Sequence, residues 1–188
     1  MGHGNFEVEI KLPVPDLLDT VGRITRLGWR QLTERTLEKN VLLDRQDQSL
    51  RGAGVVLRLR QYGSRSVITF KGPAGAGKHK VREELESAVG DCAVLQDIFL
   101  RLGFVPGFRY EKYRTEFTDG VGQLTVDETP IGNFLELEGP PEWIDECAAK
   151  LGYAEAEYIT LSYGKLYAVY CERTGRPMDE MIFEQHGH

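Results

Sequence analysis

The sequence lacks any apolar run of the length that a membrane span requires, and we expect no apolar leader. A membrane-spanning helix needs about 20 consecutive apolar residues, whereas charged residues interrupt the 188-residue chain throughout. Charge begins at Glu7, and no apolar signal-peptide segment follows it. We therefore expect no membrane partner.

Cysteine and basic charge are also scarce. Cys92, Cys147 and Cys171 are odd in number, widely spaced and without a CxxC pair, which predicts reduced thiols in a cytoplasmic protein instead of disulfides or a zinc site. The net charge of −6 argues against a general nucleic-acid binder. A local basic pocket remains compatible with that charge.

The stretch Phe6–Leu12 alternates strictly between apolar and charged residues. Glu7, Glu9 and Lys11 share one face of an extended strand, and the apolar residues share the other. Similar segments recur along the chain and are bounded by turn signals. The further predicted strands are Thr36–Asp44, Val55–Tyr62, Ser66–Lys71, Val81–Val89, Arg109–Phe117, Gln123–Asp127 and Phe134–Glu138.

Four helices are predicted between and after these strands. Three of them end in a basic residue, Leu, Gly and an aromatic residue, a pattern typical of a left-handed glycine after the last turn. The helices follow the Asp16 cap up to Gly28, and span Asp91–Leu102, Pro141–Leu151 and about Leu161–Glu172. We expect one domain over residues 1–173 and a loose tail over residues 174–188, which lack periodicity.

The charged strand faces need water or a charged ligand beside them. Burying each ion in a dry core costs several kcal/mol, which is too much for a fold stabilised by roughly 5–15 kcal/mol. These faces could form a flat wet surface or line the inside of a closed sheet. Closure would also remove the unpaired edges of a long antiparallel sheet, and the succession of ions of both signs favours a lumen.

The ions of these faces form an acidic and a basic subset. Clustered carboxylates attract a hard divalent cation such as Mg²⁺ or Mn²⁺, and arginine forks match phosphate oxygens. A cavity that contains both subsets suits a metal–polyphosphate. The acidic subset is Glu7, Glu9, Glu136 and Glu138, and the basic subset is Lys11, Arg58, Arg60, Lys71, Arg82, Lys112 and Arg114.

The segment Gly72–Lys78 matches most of a phosphate-binding P-loop. His79 stands where a P-loop has the Ser or Thr that contacts Mg²⁺, and the following residues alternate as a strand instead of opening a helix. We therefore interpret the segment as a flexible hairpin loop. Lys78, His79 and Lys80 could still contact a ligand at the mouth of a cavity.

The ordered set of motifs resembles the CYTH family, also called triphosphate tunnel metalloenzymes, over about residues 5–170. The ExExK signature of that family fits Glu7-Val8-Glu9-Ile10-Lys11. The resemblance continues through Arg58-Leu59-Arg60, Thr69-Phe70-Lys71-Gly72-Pro73, Arg82-Glu83-Glu84-Leu85-Glu86, Lys112-Tyr113-Arg114, Asp127-Glu128, Gly132–Glu138 and Ser162-Tyr163.

The resemblance implies an α+β fold in which an eight-stranded antiparallel β-barrel tunnel has a charged lumen and helices packed outside. It further implies a divalent metal, Mg²⁺ or Mn²⁺, and a triphosphate held in the tunnel. The implied metal ligands are Glu7, Glu9, Glu86, Glu136 and Glu138. The implied triphosphate-binding residues are Lys11, Arg58, Arg60, Lys71, Arg82, Lys112 and Arg114, and the implied catalytic residues are Lys11, Glu84 and Asp127.

Three functions remain open at this level. The first is metal-dependent hydrolysis of a triphosphate, either inorganic tripolyphosphate or a nucleoside or thiamine triphosphate. The second is the class IV adenylate cyclase reaction, which converts ATP to cyclic AMP and pyrophosphate in the same tunnel. The third is polyphosphate or nucleotide binding without turnover. In each case the expected partner is a small-molecule triphosphate, and the chain is a monomer or homodimer.

Overall fold

Eight antiparallel strands close into a barrel in the computed structural model, which describes residues 5–184. The order around the barrel is β1-β5-β4-β3-β2-β6-β7-β8, and β8 pairs with β1. This closure confirms the predicted α+β barrel. The strands are β1 Asn5–Val14, β2 Arg30–Arg45, β3 Val56–Tyr62, β4 Arg65–Lys71, β5 Lys80–Val89, β6 Phe104–Thr118, β7 Gln123–Thr129 and β8 Gly132–Glu138.

Strands β2 and β6 are longer than the predicted segments Thr36–Asp44 and Arg109–Phe117. Register shifts interrupt their pairing at Gln31/Thr33, Thr33/Thr36 and Val41/Leu43. Each bulge moves the following side chains to the other face. The period of two is therefore lost in the sequence although the strand itself continues.

Helices cover the outside of the barrel. Asp16 caps the first helix by accepting from the Asp19 backbone N–H at 3.0 Å, and three helices are followed by glycines in the left-handed region. The φ angles of Gly28, Gly103 and Gly152 are 82°, 85° and 88°, which confirms the predicted endings. The helices are α1 Leu17–Arg26, α2 Ser49–Gly52, α3 Cys92–Arg101, α4 Pro141–Lys150 and α5 Tyr163–Thr174, with a 3-10 turn at Glu155–Glu157.

The main apolar core lies between the barrel wall and helices α1 and α4. The outward side chains of β1, β7 and β8 pack against the inward stripes of these helices. Full burial of one such side chain stabilises a fold by roughly 1.5–3 kcal/mol. The apolar faces of these strands therefore point outwards against the helices, and their charged faces point into the barrel. Core members include Ile10, Leu12, Ile24, Leu124, Leu135, Leu137, Ile144 and Leu151.

The segment after α5 packs on the barrel as far as it is described. Met181 N–H donates to the Arg109 carbonyl at 3.0 Å, and Glu111 N–H donates to the Met181 carbonyl at 2.9 Å. The Met181 side chain is 1% exposed. The predicted tail therefore contacts the barrel at Met181, although most of residues 175–184 are exposed. Positions 185–188 of the predicted tail lie outside the described residues.

Cys92, Cys147 and Cys171 are free thiols. Within the part of the chain that the structure describes, no helix combines the length and the apolar character that crossing a bilayer requires.

Candidate active site in the barrel lumen

The lumen forms a cavity of about 550 Å³. Its wall carries nine lysines and arginines and seven glutamates. Every site residue predicted from the sequence lines it except Asp127. The cations are Lys11, Arg58, Arg60, Arg65, Lys71, Lys80, Arg82, Lys112 and Arg114, and the glutamates are Glu7, Glu9, Glu84, Glu86, Glu116, Glu136 and Glu138.

Strand β1 supplies the centre of the acidic group. Glu7 Oε1 and Oε2 accept from Lys71 Nζ at 2.9 and 2.7 Å. Burial, together with repulsion from Glu9, raises the pKa of Glu7 to about 7 despite the Lys71 ammonium. Burial acts in the same direction on Glu9, but the ammonium groups of Lys11 and Lys80 hold the pKa of Glu9 well below its usual range.

Strand β8 brings further carboxylates against β1. The pairing register sets Glu138 directly opposite Glu9 and Glu136 opposite Lys11. Lys11 Nζ lies 2.9 Å from Glu136 Oε1. Burial opposes ionisation of Glu136, but Lys11 and the neighbouring cations lower its pKa well below the ordinary value. Glu138 has no ion-pair partner among residues 5–184, and its removal from bulk water raises its pKa.

The opposed carboxylates of Glu9 and Glu138 show whether the site fits a divalent cation. Like charges directly opposite each other on neighbouring strands are destabilising, and a cation between them removes the repulsion. The donors are all carboxylate oxygens, which suit Mg²⁺ or Mn²⁺. Among residues 5–184 no three acidic, His or Cys side chains are arranged as a finished metal cluster. Lys71 and Lys80 neutralise Glu7 and Glu9. The residues therefore fit a hard cation that replaces ammonium groups.

Three arginines of the wall retain unused hydrogen-bond donors. The Nε groups of Arg58, Arg60 and Arg82 are buried and make no hydrogen bond within the described residues. Buried donors in folded proteins almost always have an acceptor. Arg82 Nε lies 3.5 Å from Glu7 Oε2. All three arginines line the cavity, and a phosphate there provides several anionic oxygens for their guanidinium groups.

Strand β5 carries the two remaining predicted carboxylates. Glu84 Oε2 lies 3.0 Å from Lys71 Nζ and Glu84 Oε1 lies 3.9 Å from Arg58 Nη2. Glu86 contacts Arg60, and it accepts from the Thr69 hydroxyl at 3.1 Å. Glu86 thus faces β3 and β4, away from the carboxylate pair of β1 and β8.

Asp127 lies behind the cavity wall and is fully buried. It accepts from Arg114 Nε at 2.7 Å and Nη2 at 2.6 Å, from Lys112 Nζ at 2.8 Å and from the Tyr163 hydroxyl at 2.6 Å. These partners separate the carboxylate from the lumen. The geometry is that of a group that positions cations.

Glu38 was missed in the sequence. It is fully buried and lies 3.6 Å from Lys112 Nζ, 3.7 Å from Arg60 Nη1 and 3.9 Å from Arg114 Nε. Burial opposes its ionisation, but Lys112 and Arg114 lower the pKa of Glu38 to about 2. The bulges of β2 conceal the inward position of Glu38 in the sequence pattern. The one sequence signal that points to it is Asn40, which lies two residues further on and donates a hydrogen bond to Glu38 Oε1 at 3.0 Å.

Barrel and lumen together define a class of protein, the enzymes that bind a triphosphate in a charged β-barrel tunnel. The CYTH domain family model matches residues 5–163. A Methanocaldococcus jannaschii protein named "Putative adenylate cyclase" is 30% identical over 136 residues, which cover 71% of this chain and 76% of that protein. The chain belongs to the CYTH domain family and is a triphosphate tunnel enzyme.

Solved structures share the fold at lower identity. A "putative adenylate cyclase" from Vibrio parahaemolyticus is 20% identical and superimposes with a TM-score of 0.79, covering 88% of this chain and 99% of that chain. A Hippeastrum protein described as a "putative adenylyl cyclase" with a dominant triphosphatase activity is 17% identical. Its TM-score is 0.63, and the match covers 92% of this chain and 96% of that one.

Proposed function

We propose that this chain is a divalent-metal-dependent phosphohydrolase that acts on a triphosphate bound in the barrel lumen. The observation that carries this proposal is one cavity lined both by the guanidinium groups of Arg58, Arg60 and Arg82 and by the opposed Glu9–Glu138 carboxylates. Groups that bind anions and groups that bind cations thus line the same cavity. A metal–triphosphate complex satisfies both.

The cations of the wall bind and orient the phosphates. Arg58, Arg60 and Arg82 present forks to phosphate oxygens, and Lys71, Lys112 and Arg114 add positive charge. Lys11 is 2% exposed; burial disfavours its charge, yet Glu136 and Glu9 raise its pKa above the ordinary value. Lys11 therefore remains protonated and stabilises negative charge that develops in the transition state.

The carboxylates hold the metal and the cations. Glu9 and Glu138 would hold the cation, with Glu7 and Glu136 on the same two strands, and Glu86 of β5 is the fifth proposed ligand. A bound Mg²⁺ or Mn²⁺ supplies charge neutralisation and a lowered pKa for its water. Glu84 keeps Lys71 and Arg58 in place, and Asp127 does the same for Lys112 and Arg114.

Adenylate cyclase chemistry is the second candidate, because the relative from Methanocaldococcus jannaschii carries that name. In that reaction the ribose 3′-hydroxyl attacks the α-phosphorus, and pyrophosphate leaves. Room for an organic group exists at one mouth of the lumen. Phe6 is 72% exposed there, and it borders a pocket of about 350 Å³ together with Leu32, Val121 and Glu138.

Incubation with Mg²⁺ or Mn²⁺ and tripolyphosphate, ATP or thiamine triphosphate separates the candidates. Orthophosphate release that stops on chelation supports the hydrolase, and cyclic AMP with pyrophosphate supports the cyclase. Thermal stabilisation by these ligands without any product supports the third alternative, a binding module. We further infer that the chain acts in the cytoplasm as a monomer or homodimer, without nucleic acid or membrane; its net charge of −6 is consistent with this.

A further inference from the structure

The glycine-rich segment Gly72–Lys78 joins two antiparallel strands, β4 and β5, and opens no helix. Its backbone is tied to the start of β5. Gly72 N–H donates to the Glu83 carbonyl at 2.9 Å, and Gly75 N–H donates to the Val81 carbonyl at 2.8 Å. The segment is therefore a hairpin connection, as interpreted from the sequence, and its function depends on what its end contacts.

The end of this loop is fixed to the outside of the barrel by a cluster that we call the clasp: Lys78, His79, Asp145, Glu155 and Tyr158. Lys78 Nζ lies 2.9 Å from Asp145 Oδ2 and 3.2 Å from Glu155 Oε2. His79 Nε2 lies 2.9 Å from Asp145 Oδ1, and the Tyr158 hydroxyl donates to the same oxygen at 3.2 Å. His79 is 8% exposed. Asp145 therefore contacts both the buried imidazole ring of His79 and the more exposed ammonium group of Lys78.

The next residue, Lys80, points into the lumen. It is 6% exposed, lines the cavity and contacts Glu9 Oε1. The Glu9–Lys80 pair is the last one of the β1–β5 ladder. Strand ends fray when nothing outside the ladder holds them, and the clasp supplies side-chain contacts next to this end.

We propose that Lys80 is a further triphosphate-binding residue and that Asp145, through the clasp, is its positioning residue. The inference rests on the proposed function. Glu9 would hold a divalent cation in place of its contact with Lys80, and the Lys80 ammonium would then be available for a phosphate oxygen in the same cavity. The loop thereby connects Asp145 on α4 with Lys80 in the tunnel, although it does not bind phosphate as a P-loop does.

A double-mutant cycle tests the coupling. The variants are Lys80→Ala, Asp145→Ala and their combination, with Asp145→Asn as a milder change. Glu146→Ala is the matched control, because Glu146 lies beside Asp145 on α4 and pairs only with Lys150 at an exposed position. The measurements are KM and kcat for tripolyphosphate with Mg²⁺, or for the triphosphate that wild type turns over fastest, and the melting temperature of each variant.

Loss of a charge-assisted contact predicts that Lys80→Ala raises KM by about tenfold or more. Asp145→Ala should raise KM by roughly threefold to tenfold, as expected for the loss of a partly exposed ion-pair cluster. In the Lys80→Ala background, Asp145→Ala should change KM no further, and Glu146→Ala should match wild type. Equal effects of Asp145→Ala in both backgrounds, or no effect of Lys80→Ala, overturn the inference.

Failure of the proposed function gives a different result. If wild type binds tripolyphosphate with Mg²⁺ without releasing phosphate, the hydrolase proposal fails and the same cycle is read from dissociation constants by calorimetry. If wild type neither binds nor turns over any triphosphate, both proposals fail. If wild type is active and only the coupling between positions 80 and 145 is absent, the inference alone fails.

Discussion

Arg114 donates two hydrogen bonds to Asp127, from Nε to Oδ1 at 2.7 Å and from Nη2 to Oδ2 at 2.6 Å. The same guanidinium contacts Glu136 in the lumen. Asp127 thus fixes, from a fully buried position, the direction in which a tunnel cation points. This paired geometry explains how a carboxylate behind the wall affects a ligand that it does not contact.

Removing this carboxylate should destabilise the fold strongly. Asp127→Ala removes a buried carboxylate that contacts both Arg114 and Lys112, and breaking a buried ion pair from one side costs about 3–5 kcal/mol. Urea denaturation should show that loss, with a smaller one for Asp127→Asn, which keeps a hydrogen-bond acceptor. Asp97→Ala, at an exposed position of α3, is the control; an equal loss there would refute the role of Asp127.

The two glutamates of β1 should be required for metal-dependent turnover. Glu7→Gln and Glu9→Gln keep the side-chain shape but remove the charge that a cation needs. Since loss of a residue that merely supports a metal ligand costs about 10–100-fold, loss of a ligand should reduce turnover at least about a hundredfold. The measurement is phosphate release against Mg²⁺ concentration.

Glu83→Gln is the matched control for these variants, because Glu83 belongs to β5 but does not line the cavity. It should retain wild-type turnover and metal dependence. Turnover by Glu7→Gln and Glu9→Gln at the level of Glu83→Gln would refute the assignment of both glutamates.

The strands that could be predicted from the sequence are those with one face buried and no bulge. β1 is an example: Ile10 and Leu12 belong to the core, whereas Glu7 and Glu9 line the lumen, as their alternation indicates. Because a period of two fixes the face of every residue, the charged face that most lumen residues share could be inferred without coordinates. The eight-stranded barrel itself is implied by the resemblance to the CYTH family.

The residues that escaped prediction depend on bulges or on contacts distant in sequence. Glu38 lies on a strand whose register shifts conceal its face. The orientation of Lys80 follows from pairing with β1, 71 residues away, and the packing of Met181 follows from its contacts with β6. Local sequence patterns do not encode such partners.

Acid should destabilise the protein through Glu38. The ordinary pKa of this group is 4.5 and the folded-state pKa is about 2, because Lys112 and Arg114 overcome the effect of burial. A depressed folded-state pKa gives stability that is complete above about pH 4.5 and is lost as the pH falls towards 2. The contribution at stake is on the order of 3 kcal/mol.

Glu38→Gln should lack this component of the pH dependence. The free energy of unfolding, measured in urea between pH 6 and pH 3, should fall less steeply for the variant than for wild type. Parallel pH profiles for the two proteins would show that the lumen cations do not stabilise the ionised form of Glu38.

A buried and an exposed methionine of the C-terminal segment together test whether its packing stabilises the fold. Met181 is 1% exposed and Met178 is 48% exposed. Because truncation of a buried methionine costs about 2–5 kcal/mol, Met181→Ala should lower the free energy of unfolding by that amount. Met178→Ala should change it by no more than about 0.5 kcal/mol. Urea denaturation of both variants gives the comparison, and equal, small effects would mean that residues 175–184 do not stabilise the barrel.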